Sequence, residues 1–245
     1  MLKNHPFAVE AHFEYSLVFT FAVAKEELFP LIPSTLKLDI FEDRWAFFTV
    51  AMVQTNRLRP KGFPAFLGQD FFLIGYRIFV KFVNDKGKRL RGLYILKSET
   101  NAKQMKYLGN IFTHYAYEST DIRTMEESNQ ISIWSEKSKF ELRVDTNAKE
   151  DSLPLQSPFQ NWKQARRFAG PLPFTFTPLA AQNKMLIIEG VRRNWRPKAV
   201  EVKSYQFEFL NRFQFKNIRL ANAFIIRDIP YFWKKGKLER TRNLA

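Results

Sequence analysis

One stretch limits the fold more than any other feature of the chain: residues 71–83, which read Phe-Phe-Leu-Ile-Gly-Tyr-Arg-Ile-Phe-Val-Lys-Phe-Val. On a pleated strand alternate side chains point to opposite faces. Phe72, Ile74, Tyr76, Ile78, Val80 and Phe82 then form one row that is wholly apolar or aromatic. Phe71, Leu73, Gly75, Arg77, Phe79 and Lys81 form the other row. The two faces of this strand separate, the first asking for burial and the second setting charges among apolar residues. With 26 phenylalanines among 245 residues, much of the core must be aromatic.

The rest of the chain extends the same pattern. Asn84-Asp85-Lys86-Gly87 is a turn that returns residues 71–83 to a strand over 90–98, giving a hairpin. Residues 13–21 begin with alternation and become apolar on both sides, as a strand does on entering a covered sheet. Leu36, Leu38 and Ile40 alternate with Lys37 and Asp39. They connect through Glu42-Asp43 to residues 45–53, a second predicted hairpin. Pro60, Gly62, Pro64 and Gly68 predict an ordered loop over 58–68. Ala102, Met105, Leu108 and Phe112 share a helical face over 100–112, and residues 159–168 give a second helix before Gly170-Pro171. Further strands are expected over 115–123, 131–136, 140–144, 185–191, 199–209 and 223–229. The order predicts an α+β, β-rich fold.

Composition removes several function classes. There is no cysteine, which excludes disulfides, thiolate metal sites and cysteine nucleophiles. Only His5, His12 and His114 are histidines. No nucleophile elbow, phosphate-binding glycine loop or usual cofactor motif is present, so neither a metal nor a cofactor is assigned. No apolar run reaches the roughly 20 residues that a membrane helix needs, and Glu10 and Glu14 spoil a basic leader ahead of residues 15–24. A soluble cytoplasmic protein is expected. Formal net charge is +15, concentrated toward the end: residues 184–245 hold 15 Lys or Arg and five acids.

The chemistry-bearing residues are charges set into apolar strands. Arg77 is a fork for a carboxylate if it faces an aromatic cavity, and an ordinary surface arginine if its face is wet. Lys97 ends the run 93–97. There its amine is available for Schiff-base chemistry if desolvated, or it reaches out to water as strand-end lysines do. Glu99 either shares the face of Lys97 or caps the helix near Thr100. His114 and Tyr115 stand where helix gives way to strand, a junction that suits a pocket mouth or a structural histidine. Trp45 and Trp134 supply wall or core. Arg192-Arg193-Asn194-Trp195-Arg196 and Arg212-Phe213-Gln214-Phe215-Lys216 interleave bases with aromatics, which fits single-stranded nucleic acid as well as an ordinary strand.

Five stretches, taken in order, resemble the YqjF-like family of the acetoacetate decarboxylase superfamily. They are residues 29–33 with Leu36, Leu38, Asp39 and Phe41; residues 45–49; residues 58–64; residues 76–80; and residues 91–94 leading through the helix to His114-Tyr115. The resemblance implies a cone-shaped, mostly antiparallel β-barrel with two or three helices packed outside. It also implies a central cavity for a small organic molecule, within a single domain over 1–245 whose residues 234–245 are a basic tail. Decarboxylases of the superfamily use a cavity lysine, which the likeness places near His114-Tyr115-Ala116, where this chain has none. Decarboxylation is therefore doubtful. Lys97 would have to substitute as nucleophile, with Glu99 or His114 moving protons. The family pattern also carries acidic and amide residues ahead of the arginine, where this chain has Leu73 and Gly75. The expected function is binding of a small anionic or carbonyl-containing ligand. Arg77 would hold its acidic group and Tyr115, Trp45 and Phe79 would enclose its body, with an enzymatic role undecided. The alternative is a basic nucleic-acid or polyanion module over 192–219, and homo-oligomerisation is left open.

Overall fold

The computed structural model describes residues 2–149, 151–170 and 172–241. The chain opens with β1 (Val9–Ala24), a one-turn helix α1 (Lys25–Leu28), a short β2 (Lys37–Leu38), β3 (Trp45–Pro60), β4 (Gln69–Val83) and β5 (Arg89–Thr100). Next come α2 (Lys103–Phe112), β6 (Tyr117–Ser119), β7 (Arg123–Glu127), β8 (Gln130–Ser135) and β9 (Phe140–Asp145). The last part holds α3 (Trp162–Phe168), β10 (Phe174–Leu179), β11 (Lys184–Arg192), β12 (Lys198–Ala199), β13 (Glu201–Phe207), the one-turn α4 (Glu208–Asn211), β14 (Ile218–Trp233) and β15 (Lys237–Arg240). No helix among the described residues is long and apolar enough to cross a membrane.

The large sheet runs β14-β1-β3-β4-β5-β10-β11, and β11 pairs again with β14, so the sheet curls into a closed ring. Its pairings are antiparallel except for β5 with β10 and β5 with β6. A second sheet, β13-β9-β8-β7, packs on the outside. The two faces of β4 now have assignments. Phe72, Ile74, Tyr76, Ile78, Val80 and Phe82 point outward into a core shared with Phe19, Phe48, Ile133, Leu142 and Phe207 of the neighbouring strands. The mixed row points into the ring. The core between the sheets is aromatic as composition required: the ring of Phe207 meets that of Phe19 edge-on at 6.0 Å. Truncating either of these fully buried rings to Ala costs about 3–5 kcal/mol.

One end of the ring is plugged by residues 159–169. Phe159 stacks on Phe47 at 5.4 Å, with Trp162 and Ala165 buried beside them. A cap holds α3 in place: Gln164 N–H donates to Asn161 Oδ1 at 2.9 Å, and Gln160 N–H donates to Gln164 Oε1 at 2.7 Å. At the other end lies α2, tied to β6 by a reciprocal pair between Asn110 and the Tyr117 backbone.

Several sequence expectations are corrected. Residues 36–40 do not pair along β3; the two segments meet only at the bridge between Phe41 and Trp45. Instead β2 pairs with β4 beyond the Phe48–Ile78 pair at which the pairing of β3 with β4 stops, Lys37 opposite Lys81. Asp39, buried there, is clamped by Lys81 at 2.8 Å and Arg91 at 2.6 Å. The proline-flanked β10 was not anticipated. The expected basic tail is in part strand: β15 pairs with β11, Leu238 opposite Leu186, and Glu239 is buried beside Lys237. Residues 242–245 of that tail lie outside the described residues.

Candidate functional site

Inside the ring is a cavity of about 340 Å³, lined by inward residues of every ring strand and by α2. Its walls are mainly apolar, with Phe13, Phe71, Phe79, Leu93, Ile188 and Phe224 among them. Hydroxyls from Ser16, Thr49, Thr55, Ser98, Thr175, Tyr115 and Tyr117 also line it. No Asp, Glu or Lys is among the described lining residues, whereas Arg59, Arg77 and Arg192 are. Arg59 is neutralised by Glu10 at 2.8 Å.

Arg77 sits at the middle of β4, between β3 and β5, with Thr49 and Ile95 as its cross-strand neighbours. Its retained surface faces the cavity, and its Nε is buried without a hydrogen-bond partner. No carboxylate among the described residues pairs with it. Burial pushes the guanidinium pKa down, and the neighbouring cation Arg192 pushes the same way. The phenols of Tyr231, Tyr117 and Tyr115 oppose the shift. A guanidinium remains charged at neutral pH even so.

Space for this side chain comes from Gly75, the preceding inward residue. A Cβ there would lie 2.5 Å from Arg77 Nε and 2.7 Å from one terminal nitrogen. The same device recurs around the cavity. A Cβ at Gly190 would meet the Tyr231 hydroxyl, and one at Gly109 would meet the Tyr117 ring. Tyr115 Oη is 2.7 Å from Thr175 Oγ1, a link between the segment after α2 and β10. Burial raises the pKa of Tyr115 and Tyr117 strongly, so both remain neutral hydroxyls with a proton to donate.

Of the seven residues singled out in the sequence, Arg77, Tyr115 and Phe79 line the cavity. Lys97, Glu99, His114 and Trp45 do not. Lys97 and Glu99 face outward because β5 carries a bulge: Tyr76 is opposite Lys97 but Arg77 is opposite Ile95, so Leu96 is the extra residue. Without it Lys97 would follow Leu93 and Ile95 inward; with it Ser98 does. Outside, the Lys97 ammonium pairs with Glu99 at 2.8 Å and Glu118 at 3.3 Å and lies over the Phe209 ring. Glu99 also accepts from Ser138 at 2.6 Å and Tyr76 at 3.2 Å. An ammonium held by two carboxylates on the far side of the sheet is not a free amine for the cavity. His114 reaches Asn4 at 3.1 Å, away from the cavity, with its pKa lowered by burial and by Lys3. Trp45 is core, flanked by the guanidinia of Arg44 and Arg219.

Sequence reasoning missed Tyr117, Tyr231, Thr175 and Arg192. They come from β6, β14, β10 and β11, far apart in the chain, and no local spacing marks them. For Tyr117 and Tyr231 the nearest available signals were the glycines that face them, Gly109 and Gly190.

The ring of strands has the fold of solved acetoacetate decarboxylase-like enzymes. Acetoacetate decarboxylase from Legionella pneumophila superposes with TM-score 0.65 at 10% identity, over 95% of this chain and 87% of that one. An acetoacetate decarboxylase-like enzyme from Sphingomonas wittichii RW1 gives 0.58 at 11% identity, over 98% and 94%. The enduracididine biosynthesis enzyme MppR, complexed with the condensation product of pyruvate and imidazole 4-carboxaldehyde, gives 0.57 at 8%, over 98% and 91%. Residues 10–230 match the family DUF2071, described as an uncharacterized conserved protein, and the chain belongs to that family. No curated protein matches the chain.

Proposed function

We propose that the ring cavity binds a small organic acid noncovalently, with Arg77 as the receptor for its carboxylate. The observation that carries this reading is a guanidinium that faces the ring cavity, with its Nε buried and unpartnered and no anionic partner among the described residues. A buried charge without a partner is costly, so a ligand that supplies the missing anion recovers that cost. Tyr115 and Tyr117 contribute neutral hydroxyl donors, and Phe13, Phe71 and Phe79 enclose the ligand body. The cavity volume suits a small metabolite. Structural neighbours that include an enzyme complexed with a pyruvate condensation product support an organic-acid ligand. This reading is of binding without a Schiff base to the chain, in keeping with a described lining that holds no lysine.

Isothermal titration of a panel of aliphatic, aromatic and oxo carboxylates tests the reading. At least one is expected to bind saturably, and Arg77→Ala is expected to weaken it by tenfold or more, consistent with a charge-assisted hydrogen bond of about 1.5–3 kcal/mol. Equal affinity in the two proteins removes Arg77 from the role. A borohydride-trapped adduct with an oxo acid on the native protein would overturn the noncovalent reading. The basic segment over 192–219 gains no support from its aromatics. Phe213 and Phe215 stack on each other at 5.3 Å and pack against Phe48, and Trp195 packs on Phe224.

A further inference from the structure

The cavity holds a second cation that the sequence reading did not place there. Arg192 ends β11 and lines the same cavity as Arg77. Its guanidinium lies 4.7 Å from the centre of the Trp195 ring and 5.4 Å from that of Tyr231. One terminal nitrogen donates to the Leu172 carbonyl at 3.0 Å. These contacts fix the plane of the group and leave further N–H donors unused. No described carboxylate pairs with it, in contrast to Arg59 of the same lining. Both guanidinia line the one cavity, the charge of Arg192 acts against that of Arg77, and they share Tyr231. The Tyr231 ring lies under Arg192, and its hydroxyl lies within electrostatic reach of Arg77.

Two like charges lining one largely apolar cavity repel. A single carboxylate offsets one of them. A ligand with an acidic group at each end offsets both, and its connecting carbons suit the apolar wall between. Resting on the reading that Arg77 receives a carboxylate, we propose that the preferred ligand is a dianion: a short dicarboxylic acid with Arg77 on one carboxylate and Arg192 on the other. Arg192 is thus the residue that sets specificity for the second acidic group, and Tyr231 spaces the two.

Titration of chain-matched pairs separates this from the simpler reading: succinate against butyrate, glutarate against valerate, adipate against hexanoate. In the native protein at least one diacid is expected to bind tenfold or more tighter than its monoacid partner. Arg192→Gln is expected to erase that difference while leaving monoacid affinity within about twofold. Arg192→Lys keeps the charge and is expected to keep part of the preference, which distinguishes a lost charge from disturbed packing around Trp195. Arg77→Ala is expected to weaken both members of the pair. Equal binding of diacid and monoacid by the native protein, or an equal loss of both in Arg192→Gln, overturns the dianion while leaving Arg77 as receptor. Binding that survives Arg77→Ala overturns the underlying reading. Absence of binding by all six acids at millimolar concentration overturns the dianion.

Discussion

Gly75 and Arg77 are successive inward residues of β4, and the first exists in its present form for the sake of the second. A methyl at position 75 would enter the space of the guanidinium, but the atoms it meets are the far end of a flexible side chain. Gly75→Ala should therefore leave the fold in place while swinging Arg77 off its position. The expected outcome is loss of carboxylate affinity comparable to Arg77→Ala, with the unfolding free energy changed by no more than about 1 kcal/mol, read by calorimetry and urea denaturation on the same variant. In the sequence, this glycine looked like a departure from the family pattern. The structure shows it to be the vacancy that lets an arginine lie flat against its own strand. Tyr231 and Tyr117 use Gly190 and Gly109 in the same way, so three of the large polar side chains of the cavity each rest where a neighbouring residue has no side chain.

At the scale of elements, the legible and illegible parts of the sequence divide along a physical line. The two rows of β4, the β4–β5 hairpin and α2 are written in local periodicity, and they appear where the periodicity puts them. The face of Lys97 is not, because it depends on one extra residue at Leu96, and a single bulge inverts every side chain beyond it. The partner of β2 is equally hidden, since it depends on which edges remain free after β1, β3 and β4 have assembled. The turn between β8 and β9 shows a local device with a measurable consequence. Asp121 accepts from the Ser135 hydroxyl and from the Glu136 and Lys137 amides. Chiefly through Ser135, these bonds lower its pKa from 3.8 to about 2. A carboxylate whose folded value lies below its unfolded value stabilises the fold above the unfolded value, and the contribution is lost as pH falls from 3.8 toward 2. Asp121→Asn should lower stability at neutral pH and flatten its decline over that acid range. Denaturation midpoints between pH 2 and pH 6 check this.

For the molecule as a whole, the ring is unevenly sewn. β1 is zipped along its length to β3 on one side and β14 on the other. The pair β10–β11 is fastened to its neighbours much more briefly. Phe174–Phe176 meet Gly92–Tyr94 of β5 on one flank; on the other, Gly190–Arg192 meet Trp233–Tyr231 of β14 and Lys184–Ile187 meet Arg240–Lys237 of β15. Few cross-strand bonds to β5 mean cheap local opening on that flank, so amides of 174–179 are expected to exchange with deuterium faster than those of β1 and β3. Saturation with an acid that binds should slow the first group and leave the second unchanged. Thr175 and Arg192 ride on this panel, whereas Arg77 and Tyr231 belong to the frame it shuts against. A molecule gripped from both sides would act as a latch, holding the panel closed from within. Uptake and release would then be one and the same event as unfastening the wall.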